Sequence, residues 1–207
     1  MGGRVDAFPL FPLGIVALPH ELVPLHIFEP RYRAMIARCL DRELEFGIVW
    51  SGEDGLRSTG CACRIDSVLR RFEDGRMDIL TRGTRPLRIH GSLDDVPYPA
   101  GTVEFLDDKD EEPHPPTVAA AHDAYAELVR EVTDEEPDRE RLESMDAYAM
   151  AATVELGLAA KQGLLDLRSE NARLRLVTRL FRGAIRRLDF IDRATARARS
   201  NGKVRFG

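Results

Sequence analysis

Residues that carry chemistry occur throughout this chain, but their spacing assembles none of the familiar catalytic or metal-binding devices. None of the three lysines, Lys109, Lys161 and Lys203, ends a Gly-x-x-x-x-Gly-Lys-[Ser/Thr] loop. Without that loop no backbone cradle holds a nucleotide phosphate, so ATP hydrolysis of the P-loop type is excluded. The five histidines, His20, His26, His90, His114 and His122, are scattered. No His-Glu-x-x-His and no Gly-x-Ser-x-Gly occurs. His122 and Asp123 are neighbours that point apart on a helix. A Ser–Lys dyad needs a serine folded against Lys161 or Lys109, and nothing in the sequence signals one.

The cysteines, Cys39, Cys61 and Cys63, are odd in number and form no disulfide framework. Cys61 and Cys63 are too close for the usual paired zinc ligands and lack a second pair. They are expected to be small buried filler. The acidic run Asp107, Asp108, Asp110, Glu111 and Glu112 lacks the ordered spacing of a calcium loop and reads as a solvated linker. No catalytic residue, no metal site and no cofactor is therefore expected.

The elements that would position any site follow from composition and periodicity. The 207 residues are 43% hydrophobic and 31% charged, with a net charge of −5. This is an ordinary globular balance without a global basic field for nucleic acid. No apolar run approaches the ~20 residues that cross a membrane. The opening Met1-Gly2-Gly3-Arg4-Val5-Asp6 lacks a signal-peptide core, and Asp6 removes the myristoylation pattern. With no disulfide framework, a cytoplasmic location is expected.

The chain changes character near residue 113, from short apolar segments broken by Gly, Pro and Asp to long helical periods. The fold class is α+β, a β-rich half followed by a helical half. Leu13 to Leu18 reads as a buried strand. Leu22 to Phe28 is extended, and Pro24 within it cannot donate to a ladder, so an edge or bulge is expected there. Pro30 opens a short helix bearing Tyr32, Met35, Ile36, Cys39 and Leu40 at helical steps. Leu44 to Trp50 is another strand. Glu73-Asp74-Gly75-Arg76 between alternating arms predicts a hairpin. Arg85 to Ile89 and Val103 to Leu106 add two short strands, and so many short strands suggest a barrel or curled sheet.

Beyond the break, a helix is predicted from Pro116 to Val132. A second is capped by Ser144 and carries Met150, Val154 and Leu158 on one face, and a short helical stretch continues through Leu165. A third is capped by Ser169 and carries Leu174, Val177, Phe181, Ala184 and Leu188. These make a small bundle. From Ala194 the chain is rich in Ala, Arg, Ser and Gly, and a flexible tail is expected.

One block stands apart for its specificity: Phe11-Pro12-Leu13, then Pro24-Leu25-His26-Ile27-Phe28-Glu29-Pro30-Arg31-Tyr32-Arg33. It resembles the opening of the Lon N-terminal domain family, the substrate-recognition region of Lon-type ATP-dependent proteases. The likeness continues through Phe46-Gly47-Ile48-Val49, Gly60 to Ile65, Asp74 to Leu80 and Gly83 to Ile89. It reaches Lys161-Gln162-Gly163-Leu164-Leu165 and Arg173-Leu174. His20 departs from the family's usual Gly, and Leu87 from its usual aromatic.

The resemblance implies a PUA-like curled β-barrel over residues 8–112, a helical bundle over 113–192 and a basic tail over 193–207. It implies a stand-alone recognition module, because the ATPase and Ser–Lys protease domains that follow in Lon are missing from these residues. Unfolded or partly folded protein segments are the partners implied, with no membrane, and an adaptor role in protein quality control follows. The other class is PUA-like nucleic-acid binding, supported only by the tail residues Arg193, Arg197, Arg199, Lys203 and Arg205.

Candidate client-binding residues are His20, Leu22, Leu25, His26, Phe28 and Trp50, in an apolar concavity expected where barrel meets bundle. Alternation allows another arrangement, in which Leu25, Ile27 and Phe28 fill the barrel core and His26 faces out with at most one structural hydrogen bond. Glu29, Arg31 and Arg33 flank the helix start and read as architectural.

Overall fold

The computed structural model describes residues 3–93, 96–109 and 111–201, and of residues 192 and 195–201 the backbone only. The chain divides by its contacts into two units. The first comprises Met1–Glu111 and Tyr148–Glu170, the second Glu112–Ala147 and Asn171–Gly207.

The first unit is built on β1 (Arg4–Leu13), β2 (Leu22–Ile27), α1 (Pro30–Arg42), β3 (Phe46–Gly52), β4 (Gly55–Leu56), β5 (Thr59–Arg71), β6 (Met77–Leu93) and β7 (Ala100–Phe105). Pairing runs β1-β7-β6-β5-β3, and β3 returns to β1, so the ladder closes on itself. The closing pair is parallel, Leu10 to Leu13 against Gly47 to Trp50, and the others are antiparallel. Each strand of this ring sends a buried side chain to one cluster: Phe8 and Leu10 from β1, Val49 from β3, Ala62 from β5, Leu87 from β6 and Val103 from β7. Closure thus removes the edges and buries the inward positions together. Helix α1 adds Tyr32, Met35, Ile36 and Cys39 to the core.

Two expectations change here. Leu13 to Leu18 is not a strand: β1 ends at Leu13, although Val16, Ala17 and Leu18 are buried. The segment needs no ladder because it lies against β6; a Cβ on Gly83 would meet the Leu18 carbonyl oxygen at 2.0 Å. The Leu18 N–H donates to a Glu21 carboxylate oxygen at 2.9 Å. Secondly, Arg85 to Ile89 is no separate short strand, since β6 is continuous from Met77 to Leu93. The predicted Asp-Gly hairpin forms between β5 and β6, with Gly75 at φ +84. The bulges in β5 and β6 let so long a pair curl.

The helical half also differs from its periodicity. Ser144 does not cap a second helix; it ends α3 (Arg139–Glu143), whose N-cap is Asp138. The predicted second helix is shortened to α4 (Ala147–Ala151), short of Val154 and Leu158, and the short helical stretch predicted through Leu165 is α5 (Leu158–Asp166). The stretch Tyr148–Glu170 belongs to the first unit. Polar anchors explain that placement. Lys161 Nζ forms a very short ion pair with Glu21, and the Gln162 amide donates to the Thr59 carbonyl at 3.2 Å. The Tyr148 hydroxyl donates to the Leu164 carbonyl at 3.1 Å.

The second unit packs α2 (Pro115–Thr133) and α6 (Glu170–Asn201) through Ala121, Tyr125, Leu128, Leu174, Val177 and Phe181, with Tyr125 and Phe181 rings 5.7 Å apart. Asn171 accepts from the His114 N–H at 2.7 Å and donates to the Glu112 carbonyl at 3.0 Å, which fixes the start of α2. Helix α6 continues to Asn201, into the segment expected to be a flexible tail from Ala194; residues 202–207 of that expectation lie outside the described residues.

Candidate functional site

The sequence-predicted residues cluster in part. Strand β2 pairs antiparallel with β6, from Leu22 opposite Arg82 to Ile27 opposite Met77, and among the described residues it pairs with no other strand. It is therefore an edge strand, the position in which Pro24 is tolerated. Its burial alternates: Val23 and Ile27 are buried and Leu25 is half-buried, whereas Leu22, Pro24 and His26 are exposed. Leu22 is 45% and Phe28 57% exposed, large fractions for side chains of this size.

A recess of about 80 Å³, open to solvent, lies beside this strand. It is lined by Phe11, Leu13, Leu25, Ile27, Phe28 and Tyr32, with the polar residues His26 and Glu29. Its size is well below the roughly 300–1,000 Å³ range of small-molecule pockets, so it has room for one side chain rather than a cofactor. Of the expected residues, Leu25, His26 and Phe28 meet here. Leu22 stands further along the same strand, and His20 precedes it at φ +69. Trp50 does not line the recess. It pairs in register with Leu13, which does, and its ring lies under the Arg57 guanidinium at 5.0 Å.

Phe11, Leu13 and Tyr32 were missed as site residues, because an apolar strand and a helical face both read as core. All the walls come from β1, β2, α1 and the residues that join β2 to α1, within the first unit.

The surroundings are held by paired groups. His26 Nδ1 lies 2.5 Å from Asp78 Oδ1, and the His26 ring stacks on Phe28 at 5.9 Å. Phe72, under the guanidinium groups of Arg70 and Arg76, meets the edge of the His26 ring. Arg31 covers Tyr32 and pairs with Glu29 at 2.9 Å, and Tyr32 packs on Phe11 at 4.2 Å. Arg33 donates to the Asp74 carbonyl, tying α1 to the hairpin tip. The block that reads as so distinctive is thus mostly joinery between β2, α1 and the hairpin.

The thiols lie away from solvent. All three cysteines are free and buried. Burial pushes the Cys39 thiol up to about 11 and Cys61 well above its ordinary value, so neither is a thiolate near neutrality. Among the described residues no group of His, Cys, Asp or Glu is placed to hold a metal ion. Among them, too, no helix is long and apolar enough to cross a membrane.

Comparison with known proteins gives one consistent result. The family model described as ATP-dependent protease La (LON) substrate-binding domain matches residues 7–182. The chain is 24% identical over 184 residues to the Lon proteases of Escherichia coli (strain K12) and Shigella dysenteriae serotype 1 (strain Sd197). These matches cover 80% of the chain but only 23% and 22% of those proteins, so the chain spans about a quarter of their length. Among solved structures, the Lon N-terminal domain protein from Xanthomonas campestris superposes with a TM-score of 0.63 at 24% identity. That match covers 83% of this chain and 96% of the other. The N-terminal domain of the Mycobacterium avium complex Lon protease gives 0.62 at 22%, covering 85% and 98%.

Proposed function

This chain belongs to the ATP-dependent protease La (LON) substrate-binding domain family, and we propose that it is a non-catalytic module that captures unfolded or partly folded protein segments. We read the closed ladder as the PUA-like barrel and the helices as its supporting bundle. An adaptor role in protein quality control, at a cytoplasmic location, completes the reading.

The observation that carries it is the exposed apolar pair Leu22 and Phe28 beside a recess on an edge strand. Exposed apolar side chains next to a concavity support reading this surface as an interaction site. Capture would proceed by burying a client's apolar side chain against Phe11, Leu25, Phe28 and Tyr32. His20, Leu22, His26 and Trp50 would contact the flanking chain.

Photoreactive groups at Leu22, His26 and Trp50, presented to an unfolded model protein, test this. Crosslinking is expected at Leu22 and His26, and more weakly at Trp50. Capture only at other positions removes this surface, and capture nowhere removes the recognition role.

A further inference from the structure

The backbone of β2 specifies how such a segment is held. The phase of the ladder is fixed at Gly83. Its N–H donates to the Glu21 carbonyl at 3.0 Å and its carbonyl accepts from the His20 N–H at 2.9 Å. Gly83 therefore turns its backbone groups towards the β2 side. From Met77 to Gly83 the β6 register has no extra residue, so Met77, Ile79 and Thr81 turn the same way. Their partners Ile27, Leu25 and Val23 turn inward to meet them.

By alternation, the N–H and C=O groups of Leu22, Pro24 and His26 point away from β6. The placement of Pro24 agrees, since its missing N–H falls on the outward side. The side-chain contact of His26 with Asp78 agrees too, since closely spaced non-hydrogen-bonded pairs bring side chains together.

We propose that this outward edge takes an extended, uncharged client segment as an additional strand. Backbone hydrogen bonds to Leu22, Pro24 and His26 would hold it, while its side chains on one alternate face enter the recess. The mode rests on the protein-recognition reading above and adds its chemistry: main-chain pairing gives tolerance of sequence, and one apolar pocket gives preference.

Charge points to the same occupant. The charged groups around the edge already face opposite partners: Glu29 with Arg31 at 2.9 Å, Asp78 with His26 at 2.5 Å, and Arg82 with Asp66 at 3.1 Å. The rows of backbone donors and acceptors complement a polypeptide.

The test uses the full chain and a labelled, soluble peptide of about ten residues, with Phe and Leu alternating with Thr. Single N-methyl groups are placed at successive peptide bonds, and binding is read by fluorescence anisotropy. N-methylation at one alternate phase is expected to weaken binding about tenfold, and at the other phase to change it little. On the protein side, His26→Pro removes an outward N–H without touching the β6 ladder, whereas His26→Ala keeps it. The proline variant is expected to bind about tenfold more weakly than the alanine variant, since both lack the histidine side chain and only the proline also lacks the N–H.

If the peptide binds but neither the methylation phase nor His26→Pro matters, strand addition is wrong while recognition stands. If no peptide binds, recognition itself fails. If His26→Pro instead abolishes self-association of the chain, the edge belongs to a second copy and the proposal is overturned. Should His26→Pro fail to fold, the methylation series decides alone.

Discussion

Strands β1 and β2 look alike on paper and end in opposite circumstances. Both are apolar runs interrupted by proline, Pro9 and Pro12 in β1 and Pro24 in β2. β1 pairs with β7 along one part and with β3 along another, and closes the ring. Phe8, Pro9, Leu10 and Phe11 are consequently buried in succession. Among the described residues β2 pairs with β6 alone, and it alternates between buried and exposed. The same composition thus serves stability where a strand has covered faces and serves availability where it has one partner. What separates the two is the number of neighbours, a property of the sheet and not of the segment.

The largest expected effect tests that contrast directly. Phe11→Ala, at a site 4% exposed and packed on Tyr32 and Phe46, is expected to cost about 3–5 kcal/mol in urea denaturation. Phe28→Ala, at 57% exposure, is expected to stay within about 0.5 kcal/mol. Equal losses would show that Phe28 is a core residue and would end the distinction between the strands.

Next in size is Lys161→Met. Lys161 and Glu21 are only 14% and 15% exposed, so the substitution strands a carboxylate just ahead of β2. A loss of about 3 kcal/mol is expected. A loss under about 1 kcal/mol would mean that α5 does not anchor the approach to this strand.

A smaller effect comes from pH. Burial of Cys39 raises its thiol from the ordinary 9.0 to about 11. The folded state holds this proton longer than the unfolded chain does. The stabilising contribution is therefore complete below about pH 9 and declines as pH rises through about 11. Unfolding free energies measured across that window are expected to fall less steeply in Cys39→Ala than in the parent.

The smallest change is expected from Pro24→Ala. It frees the unfolded chain and costs about 0.4–1 kcal/mol, without breaking a ladder bond. A loss well above that range would mean that Pro24 does more than mark an outward-facing edge position.

Much of this was legible early because local physics fixes it. Pro30 opens α1, Asp74-Gly75 turns the hairpin, and Pro24 marks an edge strand. Periodicity placed Tyr32, Met35, Ile36 and Cys39 on the buried face of α1, and Leu174, Val177 and Phe181 on that of α6. That Leu25, His26 and Phe28 would lie at the surface was legible because an apolar segment that proline keeps from full pairing has surface to spare, and the three line the recess.

Tertiary structure alone decided the rest. Burial without a ladder made Val16 to Leu18 look like a strand, because an apolar run carries no record of whether its partner is another strand or the close approach of Gly83. The return of Tyr148–Glu170 to the strand-rich unit hangs on Lys161–Glu21 and Gln162–Thr59, contacts between residues over a hundred positions apart. Phe11, Leu13 and Tyr32 became recess walls because ring closure and α1 set them beside β2. The sequence determined which segments are apolar, where they turn and which face each presents. Pairing across the chain decided which edge was left open, because an edge exists only by reference to strands far away in sequence.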